Sequence, residues 1–245
     1  MRILVCNDDG IDAPGLKLLE EVARRLSDDV RVVAPDGKRT AASASITIGR
    51  PLTIQHLGDN RYSCSGTPAD CVVTSMTWLF KDGTKPDLVL SGINDGRNTA
   101  EDLAYSGTLG IAREATFWGI PAIGFSRVKN PDLSPNDADF LARFVRDLWK
   151  TRETWLRDGH WLSVNLPVSL PAPVRQPRIG RDKIGTVAQV LSEEADKTVL
   201  IVPRGRAHAS TSGDENDLID QGNICINRLN WFGETPLKQK LLELL

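Results

Sequence analysis

Short apolar runs alternate along the chain with segments of helical spacing. Residues 2–6 (RILVC) and 30–34 are too continuously apolar for half-wetted strands and predict strands buried on both faces, as in a parallel sheet. Between them Leu19, Val22 and Leu26 recur at helical spacing, so residues 2–34 predict a βαβ unit. Residues 52–56 and 61–64, separated by Gly-Asp-Asn, predict a hairpin. Thr67-Pro68-Ala69-Asp70 predicts a helix start in which Thr67 caps, Pro68 takes the first position and Asp70 completes a capping box. Val72, Met76 and Leu79 form that helix's core face. Residues 87–91 predict another buried strand, residues 107–117 a helix of small residues and residues 120–126 a further strand, and the core is expected to close with residues 161–166. Behind Ser134-Pro135 a stripe from Phe140 through Leu141, Phe144, Val145 and Leu148 predicts a long amphipathic helix.

This order predicts an α/β protein: a Rossmann-like, mostly parallel sheet with helices on both faces over residues 1–166. Residues 167–177 are proline-rich and 205–222 polar, a composition that cannot build a second large core. Residues 167–245 are therefore expected to form an arm of hairpins, mobile over 205–222, closing with a terminal helix over 234–245. Such an arm needs something to pack on, and a second copy of the chain is the expected partner, as a homodimer or homotetramer.

At 245 residues with 40% hydrophobic and 25% charged, the composition is that of a globular protein, and a net charge of −2 leaves no footprint for DNA. No apolar run approaches the roughly 20 residues of a membrane span, and Met1 leads straight into a strand, which predicts a cytoplasmic protein that binds no membrane. Four cysteines without CxxC spacing read as core residues in a reducing compartment, and the three histidines adjoin no motif.

The chemistry concentrates where strands end. Asp8 and Asp9 follow the first strand directly, at the sheet edge where open α/β folds bind ligands, and adjacent carboxylates call for a neutralising cation. Asp12 is expected to cap the following helix, with Gly10 at a positive φ. The turn lacks GxGxxG, which argues against a nicotinamide dinucleotide. The loop over residues 35–49 opens on the same edge and brings Thr40, Ser43 and Ser45 within reach. After the strand at 87–91, Asn94 offers a neutral oxygen for a metal or an amide for a phosphate. Ser106 and Thr108 flank a helix start whose free amides suit an anion.

With these stretches in order, NDDGIDAPG, VVAPDGKRTAASASIT, GTPADCV, PDLVLSGINDGRN and EDLAYSGTLGIAREA, the chain resembles the SurE family of metal-dependent phosphatases acting on nucleoside monophosphates. The resemblance covers nearly all of residues 1–126 and fades in the arm. It implies hydrolysis of 5′- or 3′-nucleotides, sometimes of short polyphosphate, with one divalent ion per subunit, Mg²⁺ or Mn²⁺, and a carboxyl-terminal region used in assembly. It implies metal ligation by Asp8, Asp9, Thr40 and Asn94, with Asp8 and Asp9 catalytic. Phosphate contacts are implied for Asn98, Ser106, Gly107 and Thr108, and Ser43 is the next candidate hydroxyl of the loop.

The family pattern R-S-G-A-S-x-S is here Arg39-Thr40-Ala41-Ala42-Ser43-Ala44-Ser45, which moves the ligand hydroxyl to threonine and replaces a glycine by Ala41. Two alternatives stand beside this reading: a haloacid-dehalogenase-like phosphatase, whose DxD pattern NDDGID does not supply, and a nucleotide-binding or assembly module of the same fold with little turnover.

Overall fold

The computed structural model describes residues 1–129, 131–182, 187–202 and 209–233. In chain order it contains β1 (Arg2–Cys6), α1 (Pro14–Arg24), β2 (Asp29–Pro35), β3 (Ile54–His56), β4 (Arg61–Cys64), α2 (Pro68–Thr74) and β5 (Leu88–Asp95). These are followed by α3 (Asp102–Tyr105), α4 (Gly107–Phe117), β6 (Ala122–Arg127), α5 (Asp137–Lys150) and β7 (His160–Leu166). Beyond them lie β8 (Val174–Arg175), β9 (Gln189–Glu193), β10 (Thr198–Ile201), α6 (Glu215–Asp220) and β11 (Ile224–Asn230). The expected terminal helix at 234–245 falls outside the described residues.

Nine strands form one sheet in the order β3-β4-β2-β1-β5-β6-β7-β11-β8. The run from β4 to β7 is parallel throughout, as the unbroken apolar character of β1 and β2 requires. Successive side chains of β1 feed opposite faces: Ile3 and Val5 pack with Leu16, Leu19 and Val22 of α1 and Leu141 and Val145 of α5. Leu4 and Cys6 pack with Cys71 and Val72 of α2 and Leu109 and Ile111 of α4. The chain winds outward from β1 in both directions, first through β2 to β4 and then through β5 to β7. The carboxyl ends of β1 and β5 therefore bound the crevice where the winding reverses, the preferred ligand position in such sheets.

Capping at α2 is as the sequence predicts: the Asp70 amide donates to the Thr67 hydroxyl (3.1 Å), and the Thr67 amide donates to the Asp70 carboxylate (2.8 Å). At α1 the expectation fails. Ala13, not Asp12, is the N-cap, and it makes no side-chain cap bond. The preceding turn is closed by Asn7, whose amide donates to the Gly10 carbonyl (2.9 Å) while the Gly10 amide donates back to Asn7 Oδ1 (3.2 Å).

Residues beyond 166 are more closely tied to the core than their composition suggests. β11 runs antiparallel to β7 over six pairs, from Cys225 opposite Asn165 to Asn230 opposite His160, and β8 adds to β11. The polar stretch expected to be mobile contains α6, capped by Asp214, whose side chain accepts from the Asp217 amide (2.9 Å). Glu215 and Asn216 of α6 are buried. Among the described residues beyond 166, the β9–β10 hairpin stands apart, exposed along both strands. All four cysteines are buried and free, and no described helix is long and apolar enough to cross a membrane.

Candidate active site

A cleft of about 1220 Å³ opens at the carboxyl ends of β1 and β5, and Asp8, Asp9, Thr40, Asn94, Asn98 and Ser106 all line it. The Asn7 clasp and the positive φ of Gly10 (106°) turn the chain sharply, and a side chain at Gly10 would press on Gly37. The loop after β2 is thereby laid over the end of β1, fixed by the Arg39 amide donating to the Asp8 carbonyl (2.8 Å).

Asp8 is 6% exposed, and one oxygen accepts from the Thr108 hydroxyl at 2.5 Å. Burial pushes its carboxyl up to about 6; the Thr108 hydrogen bond opposes this, and the neighbouring Asp9 charge adds to it. Gly107 packs so closely that a β-carbon there would lie 2.7 Å from that of Asp8. Asp9 accepts the Asp95 amide on one oxygen (3.0 Å) and the Lys38 ammonium on the other (2.6 Å). Asn94 donates its amide to the Gly96 carbonyl (2.8 Å), which leaves its side-chain oxygen for the cleft. The Thr40 hydroxyl makes no hydrogen bond among the described residues.

These groups form a hard-oxygen set of two carboxylates, one amide oxygen and one hydroxyl, the donors that Mg²⁺ and Mn²⁺ prefer. Among the described residues no three His, Cys, Asp or Glu side chains form a metal cluster, so ligands beyond Asp8 and Asp9 would be neutral oxygens. A desolvated carboxylate beside a second one that pairs with an ammonium is an arrangement to which a divalent cation would be attracted.

Beside Asp8, Ser106 caps α4 by accepting the Leu109 amide (3.1 Å), and the first amides of that helix, on Gly107 and Thr108, have no intrahelical acceptor. Asn98 is held by its surroundings: its backbone exchanges hydrogen bonds with the Asn165 side chain (2.9 Å each way), and its amide donates to Ser126 (2.8 Å). Two candidate hydroxyls, those of Thr108 and Ser43, are engaged elsewhere. The Thr108 side chain is fully buried behind Asp8, and its hydroxyl serves that carboxylate. Ser43 does not line the cleft; its hydroxyl donates to the Ala104 carbonyl (2.7 Å) and its amide to the Tyr105 carbonyl (3.0 Å), tying the loop to α3. Ala41 has φ 57°, the left-handed conformation that a glycine would occupy without strain.

Sequence reasoning missed Lys38 and Asn7. Asn7 had a signal, since an asparagine three residues before a glycine closes turns readily. Lys38 had none, because its partner becomes adjacent only when β2 lies beside β1.

Known proteins resemble this chain in sequence and in structure. A family described as "Survival protein SurE" matches residues 3–200. The 5′-nucleotidase SurE of Paramagnetospirillum magneticum is 40% identical over 215 residues, spanning 85% of this chain and 77% of that protein. Its counterpart in Methylorubrum extorquens is 43% identical over 177 residues, spanning 71% of this chain and 69% of the other. The crystal structure of the SurE protein from Aquifex aeolicus superposes with a TM-score of 0.76 at 27% identity, covering 100% of this chain and 98% of that one.

Proposed function

The chain belongs to the SurE family, and we propose on that premise that it is a 5′-nucleotidase whose phosphomonoesterase chemistry takes place in the cleft between β1 and β5. The observation that supports the assignment of the site is the pair Asp8 and Asp9 at the reversal of the sheet, with the amino terminus of α4 packed directly against Asp8. The haloacid-dehalogenase-like alternative falls with the family match.

Asp8, Asp9, Thr40 and Asn94 would hold one divalent ion, Mg²⁺ or Mn²⁺, which when bound neutralises charge on the phosphoryl oxygens. The Thr108 hydroxyl binds one oxygen of Asp8, which keeps that carboxylate in one orientation and leaves its second oxygen for the reaction. The free amides of Gly107 and Thr108, at the positive end of α4, with the Ser106 hydroxyl beside them, hold the remaining phosphoryl oxygens. Asn98, locked by Asn165 and Ser126, supplies a fixed polar wall for the nucleotide. Preorganised donors of this kind stabilise charge as the alkoxide leaves without having to reorient.

We assign catalysis to residues 1–166 and assembly to part of 167–245. The support is the β9–β10 hairpin, whose Val190, Leu191, Val199, Leu200 and Ile201 are all exposed, an apolar surface that a two-stranded ribbon cannot bury by itself. A homodimer or homotetramer would cover it. The test of the whole reading is phosphate release from a panel of nucleoside monophosphates with Mg²⁺, Mn²⁺ or chelator. Metal-dependent release supports it. Nucleotide binding without release in any metal would favour the module with little turnover.

A further inference from the structure

Both oxygens of Asp9 are engaged, but on different terms. The Asp95 amide belongs to β5 and cannot withdraw, whereas the Lys38 ammonium sits at the end of a flexible stem whose side chain is 51% exposed against 7% for Asp9. The root of that stem is fixed. The adjacent Arg39 amide donates to the Asp8 carbonyl (2.8 Å), and the Arg39 guanidinium donates to Asp36 (2.7 Å) and to the Gly66 and Ser65 carbonyls (3.2 Å each). An exposed, flexible stem on a fixed root lets the ammonium reach other groups in the cleft without moving the loop. Arg97, another cation lining the cleft, is engaged by Asp220 (2.8 Å) and Asn216 (3.2 Å), and Lys129 also lines the cleft, beside Gly96.

From this geometry, and resting on the metal-dependent reading above, we infer that Lys38 exchanges partners: it neutralises Asp9 until a divalent cation claims that oxygen, and the released ammonium then holds the phosphoryl group of the nucleotide. Two positive species cannot share one carboxylate oxygen without repulsion, so cation entry displaces the lysine. The place it vacates borders the space between Asp9 and the α4 terminus, where the substrate's anionic group lies. Lys38 is thus a competitor of the metal in the substrate-free protein and a substrate-positioning residue in the loaded one.

The test separates the two roles. Mn²⁺ is titrated into substrate-free wild type, Lys38→Met, Lys38→Gln and Lys38→Arg, and free Mn²⁺ is read by electron paramagnetic resonance, with thermal unfolding checking that each variant folds. Removing the charge should tighten Mn²⁺ binding on the order of tenfold in the Met and Gln variants, while Arg stays near wild type. At saturating Mn²⁺ the same two variants should raise KM for a nucleoside monophosphate by roughly tenfold, with kcat changed far less. Equal or weaker Mn²⁺ binding in Lys38→Met, with wild type binding normally, overturns the competition and leaves the metal site standing. Tighter Mn²⁺ binding with an unchanged KM overturns the exchange, because the ammonium would never reach the phosphate. If no protein in the series binds Mn²⁺, both this inference and the metal reading fall.

Discussion

Replacing Asp8 by Asn should stabilise the metal-free protein while abolishing its response to metal. Asp8 is buried at the end of β1, and burial raises its carboxyl from the ordinary 3.8 to about 6. The folded state therefore binds this proton more tightly than the unfolded chain does, so ionisation opposes folding. Below about pH 4 the group is protonated in both states and costs nothing. Between about pH 4 and pH 6 the penalty grows, and above about pH 6 it is complete. The difference between 3.8 and about 6, at about 1.36 kcal/mol per pH unit, is about 3 kcal/mol. Asparagine has nearly the same shape, can still accept from Thr108 through its oxygen, and carries no charge to desolvate. Urea unfolding of chelator-treated protein at pH 8 should therefore show Asp8→Asn more stable by up to about 3 kcal/mol, or roughly 6 to 12 °C in Tm. At pH 4 the gap should nearly close. Added Mn²⁺ should raise the stability of wild type and leave the variant unmoved. A variant equal to or less stable than wild type at pH 8 would refute the reasoning, since the carboxylate would then be compensated in a way that its burial beside Asp9 does not provide.

Asp9→Asn should lose divalent-ion binding and phosphate release while keeping its fold, which calorimetric metal titration and circular dichroism would establish together. Thr40→Ser should keep activity and Thr40→Val, nearly equal in shape, should weaken Mn²⁺ binding by removing an oxygen; equal affinities would take Thr40 out of the site. Ala41→Gly should stabilise the chain by about 1 kcal/mol, because a β-carbon at φ 57° is strained and glycine is not, and chemical denaturation would show it. Leu200→Lys in the exposed β9–β10 hairpin should shift light scattering toward monomer; a wild type already monomeric at micromolar concentration would remove the assembly role.

The apolar runs at β1, β2, β5 and β6 were long and unbroken enough to predict a parallel α/β sheet, and the Thr67–Asp70 box announced α2, because both signals lie within a few residues of chain. Asp8, Asp9 and Asn94 were legible for a related reason: polar groups directly after buried strands can go only to the sheet edge. What tertiary structure alone decided was which of these edges adjoin. Setting β5 beside β1 brings the Asp95 amide to Asp9 across 86 residues, and docking α4 behind the same edge turns the Thr108 hydroxyl onto Asp8 across 100. The same packing committed Ser43 to α3, left Thr40 facing the cleft, and placed Lys38 on Asp9. It also set β11 beside β7, since a seven-residue strand can find partners there that local composition does not register. Local pattern specifies elements because it acts through neighbouring side chains; the site depends on contacts between distant residues, and these exist only once the sheet has closed its core.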